Sequence, residues 1–365
     1  MPTEIRNWHQ LDAQARARLL QRPAVSEDAA IREQVETIVT AVRNGGDAAL
    51  RQYTNKLDRA DLETARVSDD EIASASAALD AAAVAAIDLA IENVRRFHEA
   101  QRPTDISVET MPGVTCEQVS RPIGAVGLYV PAGTAPLPSA AIMLAVPARI
   151  AGCPTRVLCT PPRPDGTADP AVLVAATRAG TTDIFKAGGA QAIAAMSYVT
   201  ETIPKVAKIF GPGNAWVTCA KSVVAADPDG AAIDMPAGPS EALVIADESA
   251  SPEFVASDLL SQAEHGVDSQ VILVTTSEAM AEETLREIAD QVNLLSRQEI
   301  ARASLEYARA IVVDSLETAV AVSNAYAPEH LILQCEGARG LLPSITNAGS
   351  VFVGAWAPES VGDYC

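Results

Sequence analysis

The residues best equipped for chemistry cluster in one stretch, positions 234–266, which reads DMPAGPSEALVIADESASPEFVASDLLSQAEHG. Asp258, Gln262 and His265 recur there at i, i+4 and i+7, so a helix sets them along one side. A glutamine and a histidine three apart reach the same point off the helix axis. The two could act together at that point, but i,i+3 pairs that only satisfy buried polar groups are common in helices, and spacing alone favours that reading. A second pair, Glu329 and His330, stands in the run YAPEHL, just past a helix-breaking proline. A carboxylate and an imidazole at a helix exit are acid–base candidates. Cys116 and Cys153 offer thiols, but neither has a histidine near it in sequence, which argues against a thiol nucleophile.

Local elements must hold these groups in place. Pro236, Gly238 and Pro239 predict a rigid turn presenting Ser240 and Glu241. Residues 242–246 form an almost wholly apolar run, as expected of a strand buried on both faces. Ser251, Pro252 and Glu253 then open a helix, with Ser as N-cap and Pro at the first helical position, expected to run to about His265 and stop at Gly266. Further strands are expected at 270–275 and 310–313, with a helix from Ser315 and a last strand at 350–354.

Upstream, 1–24 reads as an arm or short helix with Trp8, Leu11, Leu19 and Leu20 as a docking face. Ser26 is expected to cap a helix carrying Ile31, Val35, Ile38, Val39 and Val42 and ended by Gly45 and Gly46. A second helix bears Leu50, Tyr53 and Leu57. Ser68 and Glu71 form a capping box, and a long helix ends near Gln101. His9 and His98 read as solvent-facing. From Thr115 the period changes: strands at 116–121, 125–130, 156–159, 183–186 and 208–210 alternate with helices at 169–178, 190–198 and 214–224. Such alternation predicts a parallel sheet wrapped by helices, with ligands at the carboxyl ends of the strands. The loops there are 129–139, 187–191 and 210–214. Each is rich in small residues and opens a helix, as a pyrophosphate site requires, although no GxGxxG is present.

At 365 residues two domains are the default. The N-terminus is not a signal peptide and no apolar run approaches a membrane span, so a cytoplasmic protein is expected. Six cysteines without CxxC spacing read as reduced thiols. The net charge of −20 argues against a nucleic-acid partner.

The blocks RPIGAVGLYVPAG, FKAGGAQAIAAM, KIFGPGNAWV, IDMPAGPSE, DLLSQAEHG, YAPEHL and PESVGDY, in this order from about residue 25 to the last residue, resemble histidinol dehydrogenase. The resemblance implies an α/β fold of two incomplete Rossmann-like domains with a helical N-terminal arm. It implies a homodimer that oxidises L-histidinol to L-histidine through the aldehyde, as the last step of histidine biosynthesis, with two NAD and a zinc ion. Domain limits are expected at 1–24 for the arm, 25–129 with 238–365 for the catalytic, zinc-bearing domain, and 130–237 for the NAD-binding domain. By position, Gln262, His265 and Asp363 match zinc ligands, and Glu329 and His330 the acid–base pair. Ser240 matches a substrate contact, as do Gln262, His265, His330 and Asp363. Tyr129, Gln191 and Asn214 match NAD contacts.

The family continues past Gly-Asp-Tyr into a segment carrying a further Glu and a His zinc ligand for the partner subunit, whereas this sequence ends at Cys365. It is therefore expected to hold well under one zinc and to turn over little. Two alternatives stand beside an active dehydrogenase: a silent NAD- or substrate-binding chain, and a related zinc-dependent alcohol dehydrogenase.

Overall fold

The computed structural model describes residues 4–23, 29–132, 136–181, 183–235 and 238–364. Ser26, Gly133, Thr134, Ala135, Pro236 and Cys365 of the sequence reading lie outside them. The chain divides into two compact units, one from the described parts of 1–26 and 238–362, the other from those of 27–237 and 363–365. This differs from the expected division, which grouped 25–129 with the 238–365 segment.

The arm contributes β1 (Ile5–Asn7) and α1 (Ala13–Leu19). The 27–237 unit follows with helices α2 (Ala29–Tyr53), α3 (Asp69–Ala78) and α4 (Ala81–Ala100) and the antiparallel hairpin β2 (Ile106–Met111) and β3 (Val114–Gln118). Next come β4 (Ala125–Tyr129), α5 (Pro138–Ile150), β5 (Thr155–Thr160), α6 (Pro170–Arg178) and β6 (Asp183–Lys186). The unit closes with α7 (Gly189–Ser197), β7 (Lys208–Phe210), α8 (Ala215–Ala226) and β8 (Ala232–Ile233). Its five-stranded sheet has the order β6-β5-β4-β7-β8, all parallel. Because β4 is its central strand and α2 packs on α7 and α8, residues before 130 are part of this unit's core. That packing is the physical reason for the different division. Side chains alternate along β4: Val126 and Leu128 meet α4, α5 and α6, while Tyr129 meets α2 and α7 on the other face.

In α2, Val35, Ile38, Val39 and Val42 are buried in helical period, and the expected break falls at Gly46, with φ 53°. Only half of the capping box forms. Ser68 accepts from the Glu71 N–H, but the Glu71 carboxylate instead accepts from Ala168 N–H at 2.8 Å and pairs with Lys186 at 3.0 Å. The sequence reading missed β1, β2 and β8. The first and last are two- or three-residue edge strands, and β2 is exposed along its length, so none carries a burial period.

The second unit holds β9 (Glu241–Ala246), α9 (Pro252–Ala263), β10 (Gln270–Thr275), α10 (Glu278–Gln291), α11 (Gln298–Ser304) and β11 (Arg309–Val312). It ends with α12 (Leu316–Tyr326), β12 (His330–Gln334) and β13 (Ser350–Val353). Its six strands lie in the order β1-β11-β10-β9-β12-β13, all parallel. Every residue of β9 and β10 is buried. Ala242, Val244 and Ala246 face α9, α10 and α11; Leu243 and Ile245 face α12 and the arm, where Trp8, Leu19 and Leu20 dock as expected. Each fully buried Leu, Val or Ile contributes about 1.5–3 kcal/mol, which accounts for the unbroken apolar run.

Candidate active site

In the 238–362 unit the candidate residues gather at the amino edge of the sheet. Ser240 precedes β9, and the register pairs His330 with Ala242 on one side and Ser350 on the other. Helix α12 ends at Tyr326 with Ala327 as a left-handed cap (φ 56°), and after Pro328 and Glu329 the chain enters β12. Glu329 and His330 thus follow a helix exit as expected, and His330 is already the first residue of a strand. Proline and the polar Glu-His pair masked the apolar run Leu331–Leu333 that follows.

The His330 ring is oriented by backbone. Nδ1 lies 3.1 Å from the Glu241 carbonyl oxygen. A carbonyl only accepts, so Nδ1 is the nitrogen bearing hydrogen in that contact, and in the neutral ring Nε2 is the one with the lone pair. Nε2 faces Glu359 Oε1 at 3.8 Å, and the Phe352 ring stands 6.1 Å away. Glu329 Oε2 accepts from the Glu241 N–H at 3.2 Å. One residue, Glu241, therefore anchors both members of the pair through its backbone.

Glu241 is itself held from the arm. Arg22 grips both its carboxylate oxygens, donates to the Tyr326 and Ala327 carbonyls at 3.0 Å each, and stacks on the Tyr326 ring at 4.5 Å. Tyr326 in turn donates to Gln270 at 2.9 Å. The start of β9, the end of α12 and the arm are thus cross-linked at the edge from which His330 projects.

Helix α9 returns the chain from the end of β9 to the start of β10, so its last turn also lies at the amino edge. It ends at Ala263, two residues short of the expected limit, and His265 follows in a tight turn, its N–H donating to the Gln262 carbonyl at 3.2 Å. Gln262 is 1 % exposed, its Nε2 lies 3.4 Å from His265 Nδ1, and its Oε1 is buried without a partner. A buried amide oxygen lacking a donor, beside an imidazole, is the pair a borderline cation would complete. Among the described residues no three His, Cys, Asp or Glu side chains form a metal cluster.

Glu359, which was not singled out, links the two pairs: its other oxygen accepts from Ser261 at 3.0 Å, next to Gln262, and its N–H donates to Asp258 at 3.2 Å. Burial raises the Asp258 carboxyl above its usual range, against the lowering effect of bonds from Glu359 and Gln334. Asp363 closes the short 3₁₀ turn Glu359–Asp363.

In the 27–237 unit the three expected positions fall at the carboxyl edge. Tyr129 ends β4, is 3 % exposed, and its hydroxyl accepts from the Gly189 N–H at 3.0 Å. Gln191 is buried in the first turn of α7. Asn214 caps α8, its Oδ1 accepting from Trp216 and Val217 N–H at 3.1 and 3.2 Å. The loop before it is pinned by Lys221, which is buried in α8, donates to the Gly211 carbonyl at 2.9 Å and pairs with Asp234. Gly211 has φ 127°, and a Cβ there would overlap the Tyr129 carbonyl; only glycine lets the two loops approach this closely.

The chain matches the histidinol dehydrogenase family over residues 20–365. It belongs to that family. Histidinol dehydrogenase of Xanthomonas axonopodis pv. citri is 53 % identical over 362 residues, covering 99 % of this chain and 84 % of that protein. A bifunctional histidine-biosynthesis protein of Photorhabdus laumondii is 52 % identical over 357 residues; this chain spans only 44 % of its length. The crystal structure of histidinol dehydrogenase from Elizabethkingia anophelis is 48 % identical and superposes with a TM-score of 0.94, over all of this chain and 83 % of that one. The family is one of oxidoreductases in histidine biosynthesis. Among the described residues no single helix is long and apolar enough to cross a membrane.

Proposed function

We propose that the chain catalyses, or forms the main part of an enzyme that catalyses, the four-electron oxidation of L-histidinol to L-histidine through the aldehyde. The single observation that carries this reading is the His330 ring, oriented by the Glu241 carbonyl so that Nε2 is the nitrogen turned away from the backbone and able, in the neutral ring, to take a proton. In this reading His330 takes the hydroxyl proton of the substrate, and Glu329 activates water for attack on the aldehyde. Ser240, at the same edge, contacts substrate. Gln262 and His265 would hold a zinc ion, together with Asp363, which the motif resemblance adds; when bound, zinc polarises the substrate oxygen. NAD would be the hydride acceptor, and by the motif resemblance Tyr129, Gln191 and Asn214 would contact it. The resemblance of the ordered motifs also supports a homodimer, and the N-terminal sequence, unlike a signal peptide, supports a cytoplasmic setting.

The test is NADH formation from L-histidinol by the purified protein, with zinc measured in parallel. His265→Ala is expected to lower bound zinc, and His330→Gln to abolish turnover while zinc stays. Zinc content indifferent to His265, or full turnover without His330, would refute the assignment.

A further inference from the structure

The Gln191 amide is held from one side only. Its Nε2 donates to Asp58 Oδ2 at 3.0 Å, whereas its Oε1 is buried and has no partner. That oxygen sits over the first residue of α7, 3.0 Å from where a Cβ on Gly189 would be. Asp58 ends the turn Thr54–Asp58 that follows α2, and is half-buried. A buried acceptor without a partner in the first turn of a helix, with its orientation fixed by a carboxylate, lacks the donor that a bound ligand would supply.

We propose that Asp58 is a positioning residue for cofactor binding: by holding the Gln191 nitrogen it turns the amide oxygen toward an N–H donor of the dinucleotide. This rests on the reading of Gln191 as a cofactor contact. An ionised carboxylate only accepts, so only Nε2 can face it. A protonated carboxyl can donate, and it would then capture Oε1 and leave the amide reversed.

Burial pushes the Asp58 carboxyl up to about 6, against the lowering effect of the Gln191 bond. The Tyr129 phenol is driven by burial far above its ordinary value, as is the Cys159 thiol behind it. Helix α7 bears no charged residue, Lys56 and Arg59 on the adjoining turn are exposed, and Arg163 is paired with Asp169. NAD affinity should therefore be full at pH 8 and fall as pH drops through 6, by about tenfold at pH 5 for a single protonation.

The experiment is calorimetric titration of the purified protein with NAD from pH 5 to 8.5, with circular dichroism at each pH. The proteins compared are the wild type, Asp58→Asn and Gln191→Ala. The asparagine side chain can donate to Gln191 Oε1, so Asp58→Asn is expected to bind NAD at least about fivefold more weakly at every pH, with a flat profile. Gln191→Ala should be weak and flat as well. A flat wild-type profile, or an Asp58→Asn protein that binds like wild type, overturns the proposal. Should Asp58→Asn fail to fold, the wild-type profile set against that of Gln191→Ala decides. NAD affinity unaffected by Gln191→Ala, or no NAD binding by wild type at any pH, instead refutes the underlying cofactor assignment.

Discussion

Asn214 spends its side-chain oxygen on capping α8, which leaves only its amide N–H2 for a ligand. Its replacement therefore has two separable effects. Asn214→Ala should cost about 1 kcal/mol of stability through the lost cap and also weaken NAD binding. Asn214→Asp keeps a capping oxygen and puts negative charge at a helix N-terminus, so its thermal midpoint should hold while the apparent NAD constant rises. Equal NAD affinity in wild type and Asn214→Asp would remove Asn214 from the cofactor site. A parallel split is expected for Glu329→Gln in the active holoenzyme. Oxidation of the aldehyde should fall about 10²–10⁴-fold, far more than that of the alcohol, and equal losses in both would sink the water-activating role. The residues named in these experiments were visible in sequence because motifs surround them. Asp58, Arg22 and Glu359 were not, since each acts through a contact more than 90 positions away along the chain.

At the level of elements, the alternation of strand and helix was legible from Thr115 onward because buried parallel strands read as short apolar runs between small-residue loops. What escaped were elements whose neighbours, not their own residues, define them: the edge strand β1, and β12 behind its Pro-Glu-His lead-in. The Arg22 clamp supplies the test at this scale. Glu241 has only 10 % of its side chain exposed and Arg22 46 %, so the pair is worth less than a fully buried one. Arg22→Ala should still destabilise the protein by about 1–3 kcal/mol in denaturant titrations, because it strands a buried carboxylate and two carbonyls. It should lower kcat more than it raises KM, and Arg22→Lys, which cannot grip bidentately, should recover only part of the loss. A KM effect alone would make the clamp a mere tether for the arm.

The whole molecule is acidic, with 47 Asp and Glu against 27 Lys and Arg. Such an excess opposes compaction by self-repulsion. Many of its ion pairs, such as Arg32–Glu36 and Arg178–Asp88, are exposed on both sides and contribute little each. Raising salt from 20 to about 200 mM should therefore raise the thermal midpoint, since screening relieves more repulsion than it weakens attraction; a lower midpoint would show the ion pairs to dominate. The candidate residues lie at opposite rims of their own sheets, the carboxyl edge in the 27–237 unit and the amino edge in the other. For the six-stranded sheet this leaves the far rim unoccupied by candidate chemistry. The open turn that follows β12 is on that rim, with Gly337 to be kept because its φ of 67° is left-handed. A short epitope or fluorophore-bearing loop grafted there should be tolerated, and a single-residue insertion between Pro328 and His330 should not, because it would slide His330 off the Glu241 carbonyl and rotate every following side chain of β12 to the wrong face.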